Sequence, residues 1–292
     1  MVVPDELTLA DAWEETLTGD RSFYLGPDGD PYRHFATDIA ASPEILGLVG
    51  QLLAAAGNGT TGPLTVVDVG SGAGGLLTRL ALAGTHARLI GIDLRPRPLD
   101  LDPGIDWITG DARQVAAELG GIRGVVVAHE FLDDIPCEAV EADDEGQPHR
   151  LLIDPVSREL RLGEPLEDPA QLAWLDQWWP VVRPFMRAEI GSRRDAAWAS
   201  ITGMLCRGAA LAIDYGHTRD ERMAGTWDGG TLTGYRDGRT VTPIADGSCN
   251  LTAHVAIDAV AAAATRARAT RISRWSTVPG HADFISLVQN FA

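Results

Sequence analysis

From residue 64 onward, short apolar runs alternate with amphipathic stretches. LTVVDVG at 64–70 is apolar and β-branched enough to predict a strand, and GGLLTRLALAG at 74–84 has helical spacing and ends on glycine. ARLIGID at 87–93 predicts a second strand and IDWIT at 105–109 a third. DARQVAAELGG at 111–121 predicts a helix, and GVVVAHE at 124–130 a fourth strand. Apolar runs of this length separated by helices indicate a mostly parallel sheet with helices on both faces, an α/β fold.

The flanking regions follow other patterns. Residues 1–60 predict a helical segment in which Ser42 caps a helix begun by Pro43 and closed at Gly57-Asn58-Gly59. A loop, LGPDGDP, and then YRHFATD precede it. After the fourth strand, EAVEADDEGQPHRLLIDPVSRELRLG reads as short antiparallel strands joined by turns. Asp168-Pro169 opens a helix closed by Pro180, and a second helix covers roughly 192–206. The sheet resumes with AALAIDYG at 209–216, so 136–207 reads as an insertion and 61–135 with 208–292 as the core. A polar, glycine-rich stretch, 216–250, precedes a helix over TAHVAIDAVAAAATRA. RATRISRW predicts a strand, and DFISLVQNF either its antiparallel partner, turning at Pro279-Gly280, or a short helix; the strand is favoured.

Composition narrows the classes. Of 292 residues, 45% are hydrophobic, enough for a sizeable core, and no apolar run reaches the ~18 residues of a membrane span. The start of the chain, MVVPDELTLADAWEE, is acidic and lacks the basic opening of a signal peptide, so a cytoplasmic location is expected. Cys137, Cys206 and Cys249 lie far apart without a C-x-x-C, which predicts free thiols, no disulfide framework and no metal site. A net charge of −17 disfavours nucleic acid and anionic membrane as partners and suits a cationic acceptor.

The stretch VVDVGSGAGG at 66–75 carries two glycine patterns at once. Gly70, Gly72 and Gly75 fit the dinucleotide fingerprint, while Asp68, Gly70, Gly72 and Gly74 fit a cradle for S-adenosylmethionine. Asp68 suits the cationic amino group of a methionine moiety and is a poor neighbour for a pyrophosphate. Asp93 ends the second strand and suits ribose hydroxyls under either pattern. Asp111, after Gly110, suits the adenine amino group or caps the helix that follows; the two roles can coexist. Acidic residues at three successive strand ends favour S-adenosylmethionine, with Ser71, Leu94, Ala112, His129 and Glu130 completing the expected cofactor set.

Several segments together resemble the MidA-like methyltransferases, the family of the mitochondrial complex I assembly-factor arginine methyltransferase. AHEFLDDIPCEAVE at 128–141 is similar to that family's N-E-F-x-D-A-x-P segment, and FYLGPDGDPYRHFATDIAASPEI at 23–45 to its N-terminal region. EIGSRRDAAW, LAIDYGH and GTLTGYRDGRTVTP…GSCNLTAHVAID match further pieces in order, from about residue 20 to 260. The resemblance implies a Rossmann-like class I methyltransferase core with helical and inserted elements forming a substrate cap. The chain departs from the pattern at His129 (Asn in the family), Asp134 (Ala), Asn250 (Asp) and Ala256 (Asp), mostly on the substrate side.

Methyl transfer needs an electron pair held roughly 3–3.5 Å from the methyl carbon. For a guanidinium, carboxylates can orient one nitrogen and offset its charge. Glu130 and Asp133, three apart in an expected early helical turn, suit that role; the alternative is acidic residues stabilised at a helix N-terminus. His129 is a candidate base or backbone-contact residue, or a structural histidine. His254 is a candidate near the site or a packing residue, and Tyr215 a wall of the substrate pocket. Trp174, Trp178 and Trp179 form a stripe that reads as packing before it reads as a cation cage. The expected activity is S-adenosylmethionine-dependent N-methylation of an arginine guanidinium, in a protein or as a small molecule. The rivals are a tailoring methyltransferase acting on another amine or a hydroxyl, a nicotinamide-dependent oxidoreductase, and a non-catalytic assembly partner. A homodimer is compatible with all of these.

Overall fold

The structure, a computed structural model, describes residues 7–20, 22–25, 42–59, 62–154, 156–274 and 284–292. In chain order the elements are β1 (Leu7–Thr8), α1 (Leu9–Thr18), α2 (Pro43–Gly57), β2 (Leu64–Val69), α3 (Gly75–Leu82), β3 (Ala87–Asp93), β4 (Ile105–Thr109), α4 (Ala112–Glu118) and β5 (Ile122–His129). There follow β6 (Glu138–Ala142), β7 (Pro148–Ile153), β8 (Leu160–Pro165), α5 (Pro169–Trp178), β9 (Arg187–Ile190), α6 (Ser192–Gly203) and β10 (Leu205–His217). The chain continues through α7 (Arg219–Met223), β11 (Thr233–Arg236), β12 (Arg239–Val241), β13 (Asn250–Thr252), β14 (Val255–Ala256), α8 (Ile257–Ala263), β15 (Ala269–Arg274) and β16 (Phe284–Phe291).

These elements form two compact units. The first draws on residues within 36–132, 196–214 and 261–292, the second on residues within 1–35, 133–195 and 215–260.

The first unit holds the parallel sheet, in the order β15-β16-β10-β5-β2-β3-β4. β10, β5, β2, β3 and β4 run parallel. Val66, Val67 and Val69 of β2 and Val125, Val126 and Val127 of β5 are buried, as strands covered on both faces must be. β2 lies between β3 and β5, so strand order reverses there, and the carboxyl end of β2 is where open α/β sheets as a class hold their ligands. α2 starts as expected: Ser42 Oγ accepts from Ile45 N at 3.3 Å, with Pro43 in the first turn. The tail is the antiparallel strand β16, paired to β15 from Ala269↔Asn290 to Arg274↔Ile285. The turn expected at Pro279-Gly280 and the YRHFATD segment near the start lie outside the described residues.

The second unit is mainly antiparallel. β1-β7-β6-β9 form one sheet, with β8 beside β7, and β12-β11-β13 form another. Leu9, Trp13, Cys137, Ala139, Leu151 and Leu251 build one core, and Val140, Trp174, Trp179, Ala188 and Ile190 a second.

The structure corrects three boundaries. The helix expected over 192–206 ends at Gly203, because Leu205 already pairs with Ile122. The helix expected from Thr252 begins only at Ile257; Asn250–Thr252 pairs with β11 instead, and His254 N donates to Thr231 Oγ1 at 2.9 Å. The polar stretch 216–250 contains α7 and a strand pair rather than loop alone. β9 has no expectation to match: four residues carry too little periodicity to announce a strand.

Candidate active site

The glycine turn after β2 closes tightly. Gly70 N and Ser71 N both donate to Ile92 O, at 2.9 and 3.1 Å, which pins the loop to the end of β3. Gly70 has φ +68°, and a Cβ there would lie 2.7 Å from the Phe131 ring. Gly74, at φ +76°, is the left-handed cap of α3, where a Cβ would meet Leu101 at 2.6 Å. The loop is thus a cradle that side chains would fill, as close approach of a ligand requires.

Asp68 is buried beside it, and Ser71 Oγ donates to its Oδ2 at 2.8 Å. Burial pushes its pKa up to about 7; the Ser71 bond opposes this and the nearby Asp93 adds to it. A cationic amino group at this carboxylate would relieve that cost. Asp93 Oδ2 accepts from Gly72 N at 2.7 Å, and its Oδ1 from Arg95 N at 2.9 Å and Arg95 Nε at 3.2 Å. Carboxylate oxygens each accept two bonds, so Oδ2 retains capacity for a ribose hydroxyl. Gly110 N donates to Asp93 O at 2.8 Å, joining the β3 and β4 ends. Leu94 and Ala112 follow the two acidic positions directly.

Asp111 caps α4 through Arg113 N at 2.8 Å. Its carboxylate also takes Arg113 Nε at 2.9 Å and Nη2 at 2.6 Å. Asp93 and Asp111 therefore share a device, an arginine two residues on that returns to the carboxylate. The capping role of Asp111 is observed, and a contact to adenine would share its oxygens with Arg113.

At the end of β5, His129 is buried with its ring stacked on Phe284, centroids 6.2 Å apart. Its Nδ1 lies 3.6 Å from Glu130 Oε1, and its buried Nε2 has no hydrogen-bond partner. Burial lowers its pKa to about 4, so it is uncharged at neutral pH. The early helical turn expected at 130–133 does not form. Glu130 takes a left-handed φ of +46°, and Asp133 sits in a turn. The physical reason is Asp214: its Oδ2 accepts from Phe131 N at 3.2 Å and Leu132 N at 2.8 Å, bending the chain away from helix. Asp214 was not among the expected site residues; a lone acid inside the apolar run ALAIDYG is the signal that marks it.

The remaining candidates belong to the second unit. Asp133 Oδ2 accepts from Thr252 Oγ1 at 2.7 Å. Asp134 accepts from Asn250 Nδ2 at 2.7 Å and from Tyr24 Oη, and burial beside Asp133 holds its pKa up. Tyr215 stacks on His254, centroids 5.6 Å apart. Buried Arg194, which nothing in the pattern singles out, ties these segments together. It donates to the carbonyls of Asp133, Ile135, Ala253 and His254 at 2.7–3.0 Å. Of the tryptophan stripe, Trp174 and Trp179 are core, and Trp174 Nε1 donates to Asp195 at 2.7 Å. Among the described residues no group of three or more His, Cys, Asp or Glu is placed to hold a metal ion, and no helix is long and apolar enough to cross a membrane.

A reversed strand order, a glycine cradle and acidic groups at three strand ends define a Rossmann-like S-adenosylmethionine-dependent methyltransferase. The chain belongs to the family described as "Putative S-adenosyl-L-methionine-dependent methyltransferase", whose model matches residues 93–274, well over half of it. Among solved structures, it shares its fold with a superfamily member from Burkholderia thailandensis bound to S-adenosyl-homocysteine (TM-score 0.76, 20% identity, 98% of this chain and 88% of that one). A native structure of an uncharacterised protein of that superfamily and organism gives a TM-score of 0.74 at 20% identity, over 98% and 87%. The 1,6-didemethyltoxoflavin-N1-methyltransferase of the same organism gives 0.52 at 13% identity, over 99% and 93%. No curated protein matches the chain.

Proposed function

We propose that this methyltransferase acts on nitrogen and that its acceptor is an arginine guanidinium, in a protein or as a small molecule. The observation that carries the reading is the end of β5, where an uncharged, buried imidazole with a partnerless Nε2 is followed at once by a carboxylate on left-handed backbone. Non-glycine residues adopt that conformation at a cost and keep it where the surroundings demand it, which is often at functional sites.

S-adenosylmethionine, when bound, supplies a methyl group on a sulfonium centre. The chain's part is to hold a nucleophile in line with it and to manage charge. A guanidinium brings a second positive charge, and Glu130 offsets it while orienting one nitrogen. With S-adenosylmethionine bound, methyl transfer would form the new N–C bond and leave the S–C electron pair on sulfur, and the alkylated nitrogen would have to lose a proton. His129 Nε2 takes it: the Glu130 carboxylate beside Nδ1 favours the ring hydrogen there, leaving the lone pair on Nε2. A base of low pKa suffices, because a guanidinium bearing both its original proton and a new methyl is a strong acid. The net charge of −17 fits a cationic partner better than a nucleic acid or a membrane surface.

The test is transfer of a labelled methyl group to arginine peptides, free arginine, primary amines and phenols, read by mass spectrometry. The reading expects a methylated guanidinium, and a turnover loss of about 10²–10³ in His129→Gln. Methylation confined to hydroxyl acceptors would overturn it.

A further inference from the structure

Within the second unit, His217 at the end of β10 stands among aromatic rings. Trp179 lies edge-on at 4.6 Å between centroids, Trp227 at 5.5 Å and His254 at 6.3 Å. Trp227 in turn meets His254 at 4.9 Å. His217 and Trp179 are buried, while Trp227 and His254 are half-buried, so the cluster reaches from the core toward solvent.

Arg222, from α7, fixes the tautomer of His217. Its Nη1 lies 2.8 Å from His217 Nδ1, and its other bonds go to His217 O, Trp178 O and both carboxylate oxygens of Asp258. A guanidinium only donates, so Nδ1 accepts and the ring hydrogen sits on Nε2. Burial and the Arg222 charge hold the ring's pKa well below the usual histidine range, keeping it neutral.

His217 Nε2 is then a donor, and it has no partner. Neither has Trp179 Nε1 nor Trp227 Nε1, and all three atoms are closed off from solvent. Most buried donors in native proteins are satisfied, so three orphans on rings that meet at His217 are unusual. The indole Nε1–H groups and His217 Nε2–H donate and cannot accept, which defines what would satisfy them. Arg222 is already neutralised by Asp258, so the cluster carries no uncommitted charge.

We propose that this ring cluster is a binding site for a planar oxygen acceptor, the carbonyl or carboxylate of an amide or acid. Indole and imidazole faces pack against the flat group while the three N–H donors take its oxygens. The inference goes beyond the guanidinium reading and stands without it, since it names what the second unit holds and not what is methylated.

The test is a titration of the full chain carrying ¹⁵N-labelled tryptophan, followed through the indole N–H signals. Trp179→Phe and Trp227→Phe assign the two resonances while keeping the rings. Acetate and acetamide are the probes; guanidinium chloride and tetramethylammonium are the cationic controls. The proposal expects both signals to move downfield with acetate or acetamide, unmoved by the cations, and Trp227→Phe to weaken the probe roughly tenfold, as for a hydrogen bond lost. Three outcomes overturn it: no shift with either oxygen probe in the wild-type chain, a shift driven by the cations instead, or bound water that stays on both indoles at saturating acetate.

Discussion

Asn250 Nδ2 donates to Asp134 Oδ1 at 2.7 Å. Both positions depart from the pattern that the chain resembles, which has Asp in place of Asn250 and Ala in place of Asp134. The carboxylate has in effect moved across one hydrogen bond, and the amide now supplies the donor that a buried acid needs.

That exchange is directly testable. Asn250→Asp sets two acceptors face to face beside Asp133 and is expected to destabilise the fold by about 1–3 kcal/mol at neutral pH. Adding Asp134→Asn restores a donor–acceptor pair and is expected to recover most of the loss. Chemical denaturation of the wild type, the single variant and the double variant checks this; a double variant no more stable than Asn250→Asp contradicts it.

The buried imidazole sets a pH dependence. His129 has a pKa near 4 in the fold against 6.5 ordinarily. As pH falls, the unfolded chain takes up that proton first, so the stability present above about 6.5 is lost progressively down to about 4, by at most about 3 kcal/mol. Asp68 works the other way. Its raised value means that the fold binds the proton more tightly, so its contribution falls as pH rises from 3.8 to about 7. The comparison with His129→Gln isolates the first effect: the variant is expected to lose less stability between pH 6.5 and 4 in urea titrations. Parallel curves for the two proteins would refute the burial argument.

Glu130 separates strain from chemistry. Its left-handed backbone costs an L-residue roughly 1–2 kcal/mol, which glycine avoids. Glu130→Gly is expected to melt no lower than the wild type while turnover falls about 10²–10³. Wild-type turnover would remove Glu130 from the charge-offsetting role.

Arg194 shows what one buried guanidinium can hold. Four carbonyls accept from it, and a lysine cannot reproduce the fork. Arg194→Lys is expected to cost at least about 2 kcal/mol in denaturant, with the loss traced to unsatisfied carbonyls. An unchanged midpoint would show those carbonyls satisfied by other means.

The parallel sheet was legible because its strands are buried on both faces and read as unbroken apolar runs, Val66–Val67 and Val125–Val127 among them. The cradle was legible because a cofactor pressed against backbone demands glycine at fixed offsets from Asp68. The second unit was not. Its strands are short, β13 and β14 have three and two residues, and Thr252 and Val255 sit in a stretch whose alanines suggest helix. Asp214 and Arg194 act through backbone partners distant in the chain, which no local spacing encodes. The His217 tautomer depends on Arg222, and only the folded chain brings that guanidinium to Nδ1.

The most direct measurement is calorimetric titration of S-adenosylhomocysteine into the wild-type chain and into Asp93→Ala. Asp93 braces the cradle at Gly72 and is expected to accept from ribose hydroxyls. Wild-type protein is expected to bind S-adenosylhomocysteine and not NAD, and Asp93→Ala to lose about 1.5–3 kcal/mol of affinity, roughly 10- to 150-fold. Binding of NAD alone, or equal affinity in a folded Asp93→Ala, would contradict the account.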